Sequence, residues 1–309
     1  MDREKMKQLN LTPIEDLIEE DFGKEGTPSR LEFENGCDAF IIGERLKEER
    51  LRAGLTQEQL ASRIGTKKAY ISRVENGHTD ICGVLTNDID FTDYPTTMIG
   101  EGKDFEGIFD GNGHTITFGL TRDADYAGLF CQLSGTVKDL ILRGTIATSR
   151  KYAGFAANLK GGKLLRCQSY IDIIATVNGD GTHGGMAGLF NSGADIPLIQ
   201  DCIFAGTISG TNTNCCGGLV GWASSIGLIS NSLMAGTITV STEGSDVICR
   251  NSGSAIISDT YYLTSWPAGV PADAIGADLY SARSGELCHL LNAGRTEEKT
   301  VWFQTVFSS

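Results

Sequence analysis

Three stretches of this chain repeat one pattern, and that pattern decides the fold of its larger part. They are VKDLILRGTI (137–146), LIQDCIFAGTI (198–208) and LISNSLMAGTI (228–238). Asp139, Asp201 and Asn231 each stand five residues before the glycine of GTI. The stretch RCQSYIDI at 166–173 is a degenerate copy. A repeat of this length predicts stacked supersecondary units that bury an apolar face only against their neighbours.

A second, glycine-centred signature accompanies the first. Its copies are YAGLF (126–130), YAGFA (152–156), MAGLF (186–190) and GGLVG (217–221), with glycines at 128, 154, 188 and 218. The units are rich in Val, Ile, Thr and Gly and lack a long helical period, which favours short strands joined by turns. We therefore predict an all-β repeat domain, a β-solenoid or β-helix, over residues 82–265. The glycines are expected to supply positive φ at the corners between strands.

Leu140, Cys167, Cys202 and Ser232 occupy one position of the repeat. Stacking then predicts an inward ladder in which Cys167 and Cys202 fill the core. The nine cysteines are odd in number and form no CxxC pair, which favours reduced thiols over disulfides or a metal site.

Residues 42–78, IGERLKEERLRAGLTQEQLASRIGTKKAYISRVENGH, follow a different rule, with apolar residues at helical spacing. Gly54 can end a first helix in a left-handed cap. Thr56 and Gln59 form a T-x-x-Q capping box for a second helix, with Leu55 and Leu60 as its hydrophobic staple. Two short helices joined by a glycine turn, followed by a third, predict a small all-α helix-turn-helix domain.

The charge of the chain is unevenly distributed. The whole sequence has a formal net charge of −13. Between Glu44 and His78, however, eight Lys and Arg stand against five acids, a local excess of +3. A weak basic footprint therefore remains where contact with DNA is expected.

The pattern L-x-x-x-R-x-x-x-G-L-T-Q-x-x-L-A-x-x-I-G-x-x-x-x-x-I-S-R-V-E-N-G resembles the Cro/repressor-type (XRE) helix-turn-helix family over about 35 residues. That resemblance implies binding of double-stranded DNA, with a recognition helix in the major groove. It implies a phosphate contact by Gln57, groove contacts by Lys67, Lys68, Tyr70 and Arg73, and backbone contacts by Ser72 and Asn76. It also implies a structural ion pair between Arg50 and Glu75.

The N-terminal extension is acidic and spans residues 1–41. Its segment DLIEEDFGKEGTPSRLEFE resembles the extension of HigA-type antitoxins, which implies a small toxin protein as a partner. XRE-family domains usually continue with two more helices that close the core and often dimerise, whereas here ENGHTDI passes straight into CGVLTNDIDF. We therefore expect a truncated domain over 42–81, with a second copy of the chain as a candidate partner.

The repeat region resembles GLUG-motif proteins, a group of bacterial surface and secreted proteins. The lead-in LTNDIDF, the segment FEGIFDGNGHTI (105–116) and the motif GLVG (218–221) carry that resemblance. The tail segment over 266–309 also resembles the end of such proteins. The resemblance to GLUG-motif proteins implies a surface or ligand-binding role.

The leading hypothesis is a non-enzymatic DNA-binding protein, an antitoxin-like transcriptional regulator with a β-solenoid appendage. The alternative is a surface or ligand-binding repeat protein whose helical segment is a relic of gene fusion. A weaker third is a carbohydrate-active β-helix using Asp104, Asp110, Asp123 and Asp125. The sequence offers no catalytic, metal or cofactor motif, and its charged start, MDREKMKQLN, together with the lack of a long apolar run, predicts a cytoplasmic protein without a membrane segment.

Overall fold

The structure is a computed structural model that divides into two compact units, Met1–Asp80 and Ile81–Ser309. It describes residues 19, 24, 47–48, 50–63, 68, 71–72, 82–93, 98–250, 252–263, 269–293, 295 and 301–303.

The first unit is helical wherever it is regular in the described residues. Residues 50–52 are helical, α1 spans Gln57–Arg63, and residues 71–72 are helical again. Ala61 and Ile71 are buried in this unit, at 2% and 0% exposure. None of the helices in the described part of the chain is long and apolar enough to cross a lipid bilayer.

The second unit is built almost entirely from short strands. They are β1 (Cys82–Val84), β2 (Ile89–Asp90), β3 (Ile108–Asp110), β4 (Thr115–Arg122), β5 (Phe130–Leu133), β6 (Thr136–Lys138), β7 (Ile141–Thr148), β8 (Ala156–Lys160), β9 (Lys163–Leu165), β10 (Gln168–Ala175), β11 (Gly179–Asp180), β12 (Ala187–Asn191), β13 (Leu198–Gln200), β14 (Ile203–Phe204), β15 (Thr207–Ser209), β16 (Thr213–Asn214), β17 (Val220–Ala223), β18 (Gly227–Ser230), β19 (Leu233–Met234), β20 (Thr237–Ile238), β21 (Ala255–Ser258), β22 (Thr260–Tyr262) and β23 (Ala274–Gly276).

These strands stack into long parallel sheets. Sheet 1 has the order β1-β3-β6-β9-β13-β18-β21, and sheet 2 has the order β2-β4-β7-β10-β14-β19-β22-β23 with β15 and β20 beside it. Sheet 3 has the order β5-β8-β12-β17, and β11 pairs with β16. Each strand pairs with its counterpart one turn later in the chain, so the unit is a β-solenoid of about six turns. The predicted fold class, an all-α helix-turn-helix domain followed by an all-β solenoid, is confirmed.

The core of the solenoid is a set of ladders of like residues. In sheet 1, for example, Val137, Leu164, Ile199 and Ile229 lie on successive strands in register, and all four are fully buried. Five phenylalanines contribute the largest of the fully buried side chains, Phe118, Phe130, Phe155, Phe190 and Phe204. The apolar residues of one coil are buried only when neighbouring coils stack on them, so a single coil would not be stable alone.

The chain turns from sheet 1 to sheet 2 through a left-handed corner. Five non-glycine residues take positive φ there, between 43° and 56°: Asp139, Arg166, Asp201, Asn231 and Asp259. The residue after each points inward. Leu140, Cys167, Cys202 and Ser232 are all 0% exposed, which confirms the predicted inward ladder.

Side chains in this ladder accept hydrogen bonds from the coil before. The N–H of Cys167 donates to Sγ of Cys202 at 3.4 Å, and the N–H of Cys202 donates to Oγ of Ser232 at 3.2 Å. The two cysteines are thus hydrogen-bonding groups as well as core filler.

A second left-handed corner precedes sheet 3, with positive φ at Tyr126, Tyr152, Thr182, Cys215 and Gly244. Its inward ladder repeats the same chemistry. The N–H of Ala153 donates to Nδ1 of His183 at 3.2 Å, and the N–H of Cys216 donates to Oγ of Ser245 at 2.9 Å.

The glycines of the second signature do not supply positive φ, so that expectation was wrong. Gly128, Gly154, Gly188 and Gly218 lie outside the positive-φ residues. They are needed where backbones approach closely, since a Cβ on Gly128 would lie 2.5 Å from the carbonyl oxygen of Gly154. The MAGLF copy was also misaligned. Ala187 pairs with Ala156, which places Gly188 inside a strand rather than at the position of Gly154.

Two helices, α2 (Leu279–Ser284) and α3 (Glu286–Ala293), follow the last coil. Leu287 and Leu291 of α3 are buried in a cluster with Leu233 and Tyr261 of sheet 2. An ion pair between Arg295 and Asp201, with both side chains only 2% exposed, joins this segment to the first corner. The helices therefore cover the outer side of sheet 2.

A glycine of the GTI motif provides a stability test. A Cβ on Gly206 would overlap the carbonyl oxygen of Ile171 in the preceding coil, whereas one on Gly119 would meet its nearest atom at 3.9 Å. We expect Gly206→Ala to lower the free energy of unfolding by roughly 3 kcal/mol and Gly119→Ala to leave it nearly unchanged. Urea titration of the full chain, followed by circular dichroism, measures both. Equal values for the two variants would contradict the close-approach explanation.

His183 makes the stability of the solenoid depend on pH. Burial lowers the pKa of His183 from 6.5 to about 4. Between pH 6.5 and pH 4 the imidazole of His183 binds a proton more strongly in the unfolded chain than in the folded chain. The stability that depends on a neutral His183 is therefore fully present above pH 6.5 and is lost as the pH falls to 4. The loss should be roughly 3 kcal/mol.

The matched variant is His183→Ser, because a serine hydroxyl can accept the same N–H, as Ser245 does. Unfolding free energies of both proteins at pH 7.5 and pH 4.5 give the comparison. The serine variant should lose less stability on acidification than the parent. A parallel loss in both would show that His183 is not the titrating group.

Candidate nucleic-acid interface

Gly54 ends the first helix of the small unit. It has φ of 66°, its N–H donates to the carbonyl of Leu51 at 3.0 Å, and the N–H of Leu55 donates to the carbonyl of Arg50 at 3.0 Å. This pair of bonds is the Schellman motif, which satisfies the last carbonyls of a helix. The predicted left-handed cap at Gly54 is confirmed.

The capping box of α1 is also present. The N–H of Gln59 donates to Oγ1 of Thr56 at 3.1 Å, and the N–H of Thr56 donates to Oε1 of Gln59 at 2.9 Å. Both bonds satisfy donors that the first turn of a helix leaves unpaired. Leu55 and Leu60, the predicted staple, are both half-buried. The start of α1 is therefore fixed by contacts within four residues.

The buried and exposed residues of the unit define its two faces. Ala61 and Ile71 are buried, whereas Glu58, Ser62 and Lys68 are exposed. Ala61 on α1 and Ile71 on the following helical stretch therefore lie on the buried side of this unit.

The predicted DNA-contacting residues are only partly among the described residues. Gln57, the first residue of α1, is half-buried. Lys68 is helical and exposed, and Ser72 is helical and half-buried. The remaining predicted contacts lie outside the described residues: Lys67, Tyr70, Arg73 and Asn76.

The predicted ion pair of Arg50 stays a prediction, because Glu75 lies outside the described residues. The structure gives Arg50 a contact that the sequence reasoning missed. Its Nη1 donates to the carbonyl of Leu55 at 2.8 Å, across the turn that Gly54 begins. The signal for this contact was the position of Arg50 at the third-last residue of a helix that ends at a glycine cap. Arg50 thereby stabilises the turn between the first two helices.

Comparisons with known proteins support the two halves separately. Residues 41–83 match a family model described as a helix-turn-helix domain. No curated protein sequence matches the chain. A crystal structure of a candidate immunoglobulin A1 protease from Bacteroides ovatus is similar, with a TM-score of 0.51 and 18% identity over 69% of this chain and 80% of that one. At this identity the likeness shows a shared fold alone. The helix-turn-helix domain itself indicates DNA binding.

The capping box can be tested by a pair of substitutions at Thr56. Thr56→Ala removes the acceptor for the N–H of Gln59 and should destabilise the helical unit by about 1 kcal/mol. Thr56→Ser keeps the hydroxyl and should behave like the parent. The urea midpoint of the 222-nm circular dichroism signal of the full chain reports the difference. A serine variant as unstable as the alanine variant would mean that the hydroxyl is not what stabilises α1.

Proposed function

We propose that this chain is a double-stranded-DNA-binding transcription regulator of the antitoxin-like XRE type, acting without catalysis in the cytoplasm. The observation that carries the proposal is the helix-turn-helix match at residues 41–83. The described helix ends support it, because the glycine cap and the capping box hold the first two helices at a defined turn.

The proposed reading surface is the exposed side of the third helical stretch. Lys68 supports this assignment, since it is both helical and exposed. A helix of this kind enters the major groove with its early residues against base edges. On the family pattern, Lys67, Tyr70 and Arg73 share that role with Lys68. Phosphate and backbone contacts would position the domain without reading sequence, and these are assigned to Gln57, Ser72 and Asn76.

One helix-turn-helix domain covers a single half-site, and a single half-site binds weakly. We therefore propose that two copies of the chain bind a two-fold symmetric operator. The acidic extension over 1–41, which resembles the HigA-type extension, is the proposed contact for a small toxin protein. Binding of that toxin would link the amount of free regulator to the amount of toxin.

Fluorescence anisotropy with duplex DNA from upstream of the coding sequence, against a scrambled duplex, tests DNA binding by the full chain. The upstream duplex should bind more tightly, with affinity falling steeply as salt rises. Lys68→Ala should weaken binding to the upstream duplex and narrow its difference from the scrambled duplex, because a base contact is lost. Lys103→Ala is the control, since Lys103 is an exposed lysine of the solenoid unit.

Binding that is unaffected by Lys68→Ala would show that the reading surface is placed wrongly. Equal, salt-insensitive affinity for both duplexes would contradict the regulatory function itself. If Lys103→Ala weakened binding as much as Lys68→Ala, the effect would be one of overall charge.

A further inference from the structure

An open groove of about 1170 Å³ lies on the outer side of the solenoid, beside the first left-handed corner. Outward side chains of sheet 2 form its floor, including Ile141, Tyr170 and Ile203. The corner forms one wall. Helix α3 and residues 301–303 form the other wall. All the residues that line the groove belong to the second unit.

The groove is long in the direction of the solenoid axis. Its accessible part reaches from Asp110, in the coil that begins with β3, to Ile203, three coil steps later, because Leu233 in the next coil is buried beneath α3. Parallel strands are spaced by about 4.8 Å, so the accessible groove spans roughly 14 Å. A length of this order suits an extended ligand of several units rather than a single small molecule.

The charges along the groove cancel in pairs. Asp110 binds Lys138, and Asp139 accepts two hydrogen bonds of 2.7 Å from Arg166. Asp201 pairs with Arg295. These six are the charged side chains among the described residues that line the groove, and they sum to zero charge. This lining therefore offers no net attraction to a polyanion such as a nucleic acid or an acidic polysaccharide. It favours an uncharged ligand.

The hydrogen-bonding groups of the groove are side chains, not free backbone. The groove runs across the strands of sheet 2, whose N–H and C=O groups are engaged by the coils above and below. A peptide laid along the groove would therefore find no strand edge to pair with. The planar pair Asp139–Arg166 and the amide of Gln168 offer donors and acceptors side by side, which suits neighbouring hydroxyl groups.

An exposed aromatic ring completes the wall. The side chain of Phe303 is 79% exposed and lines the groove beside Trp302. The side chain of Asn292 holds this segment, accepting hydrogen bonds from the N–H groups of Val301 and Trp302 at 3.1 and 3.0 Å. The exposed ring of Phe303, which follows this held segment, can stack on the C–H face of a sugar ring.

We propose that this groove binds an elongated, uncharged oligosaccharide. Phe303 stacks on a sugar ring, and Gln168 and the Asp139–Arg166 pair bind hydroxyl groups. Among the described residues that line the groove, each acid faces a cation, so this lining does not present the two free carboxylates that glycoside hydrolysis uses. The ligand is bound and not cleaved.

The test is a titration of the full chain with end-labelled cellohexaose, laminarihexaose, xylohexaose, mannohexaose and chitohexaose, read by fluorescence anisotropy. Hexagalacturonate and a Gly-Ser peptide of similar length are the charged and peptide comparisons. At least one neutral hexasaccharide should bind saturably and remain intact on chromatography. Phe303→Ala should weaken that binding about tenfold and Gln168→Ala about fivefold. Tyr280→Ala is the matched control, because Tyr280 is 77% exposed on α2 and does not line the groove.

The proposal would be overturned if no neutral hexasaccharide bound saturably below millimolar concentration. Binding of hexagalacturonate or the peptide alone would overturn it as well. So would binding that survives both Phe303→Ala and Gln168→Ala, provided that circular dichroism shows the two variants folded. None of these results bears on DNA binding, since every variant lies outside residues 41–83.

Discussion

The constraint on which the register of the solenoid depends is the set of buried backbone N–H groups at the left-handed corners, those of Ala153, Cys167, Cys202 and Cys216. Their partners are side chains rather than backbone carbonyls, and a buried, unpaired N–H costs about 1–3 kcal/mol. The next coil supplies the acceptor, as Cys202, Ser232, His183 and Ser245 show at the two corners. A coil is therefore satisfied only when its successor is stacked in the right register. Register is fixed by these side chains as well as by the strands.

Residues of unlike type take the left-handed conformation at the corners, and they do so for different reasons. Asp and Asn adopt it readily because their short polar side chains hydrogen-bond locally, and the first corner is rich in both. Arg166 and the tyrosines of the second corner gain no such local help. Arg166 binds Asp139 of the preceding coil, and the rings of Tyr126 and Tyr152 stack with centroids 5.0 Å apart. Contacts between coils thus offset the strain within each.

The sequence predicted well the hydrogen bonds that form between residues close together in the chain. The capping box and the glycine cap act within five residues, so their bonds follow from spacing alone. The inward ladder at the first corner was predictable because Asp139, Asp201 and Asn231 mark it in the three clear copies. The second corner was not, since tyrosine, threonine and cysteine share no visible signature there. The MAGLF copy was aligned three residues away from its true register, in which Ala187 pairs with Ala156, and glycine was assigned to corners although it serves close approach.

The groove lay beyond sequence reasoning for a different reason. Its lining joins Asp110 of an early coil with Phe303 of the C-terminal segment, which only the stacked fold and the return of that segment can do.

The net charge of the chain is unevenly divided between the two units. Residues 81–309 contain 22 acids and 13 bases, a net charge of −9, so most of the chain's −13 belongs to the solenoid unit. At 0.1 M salt the Debye length is about 10 Å, and exposed charges farther than this from a phosphate are largely screened. The excess of +3 between Glu44 and His78 is carried by the segment that is proposed to contact DNA.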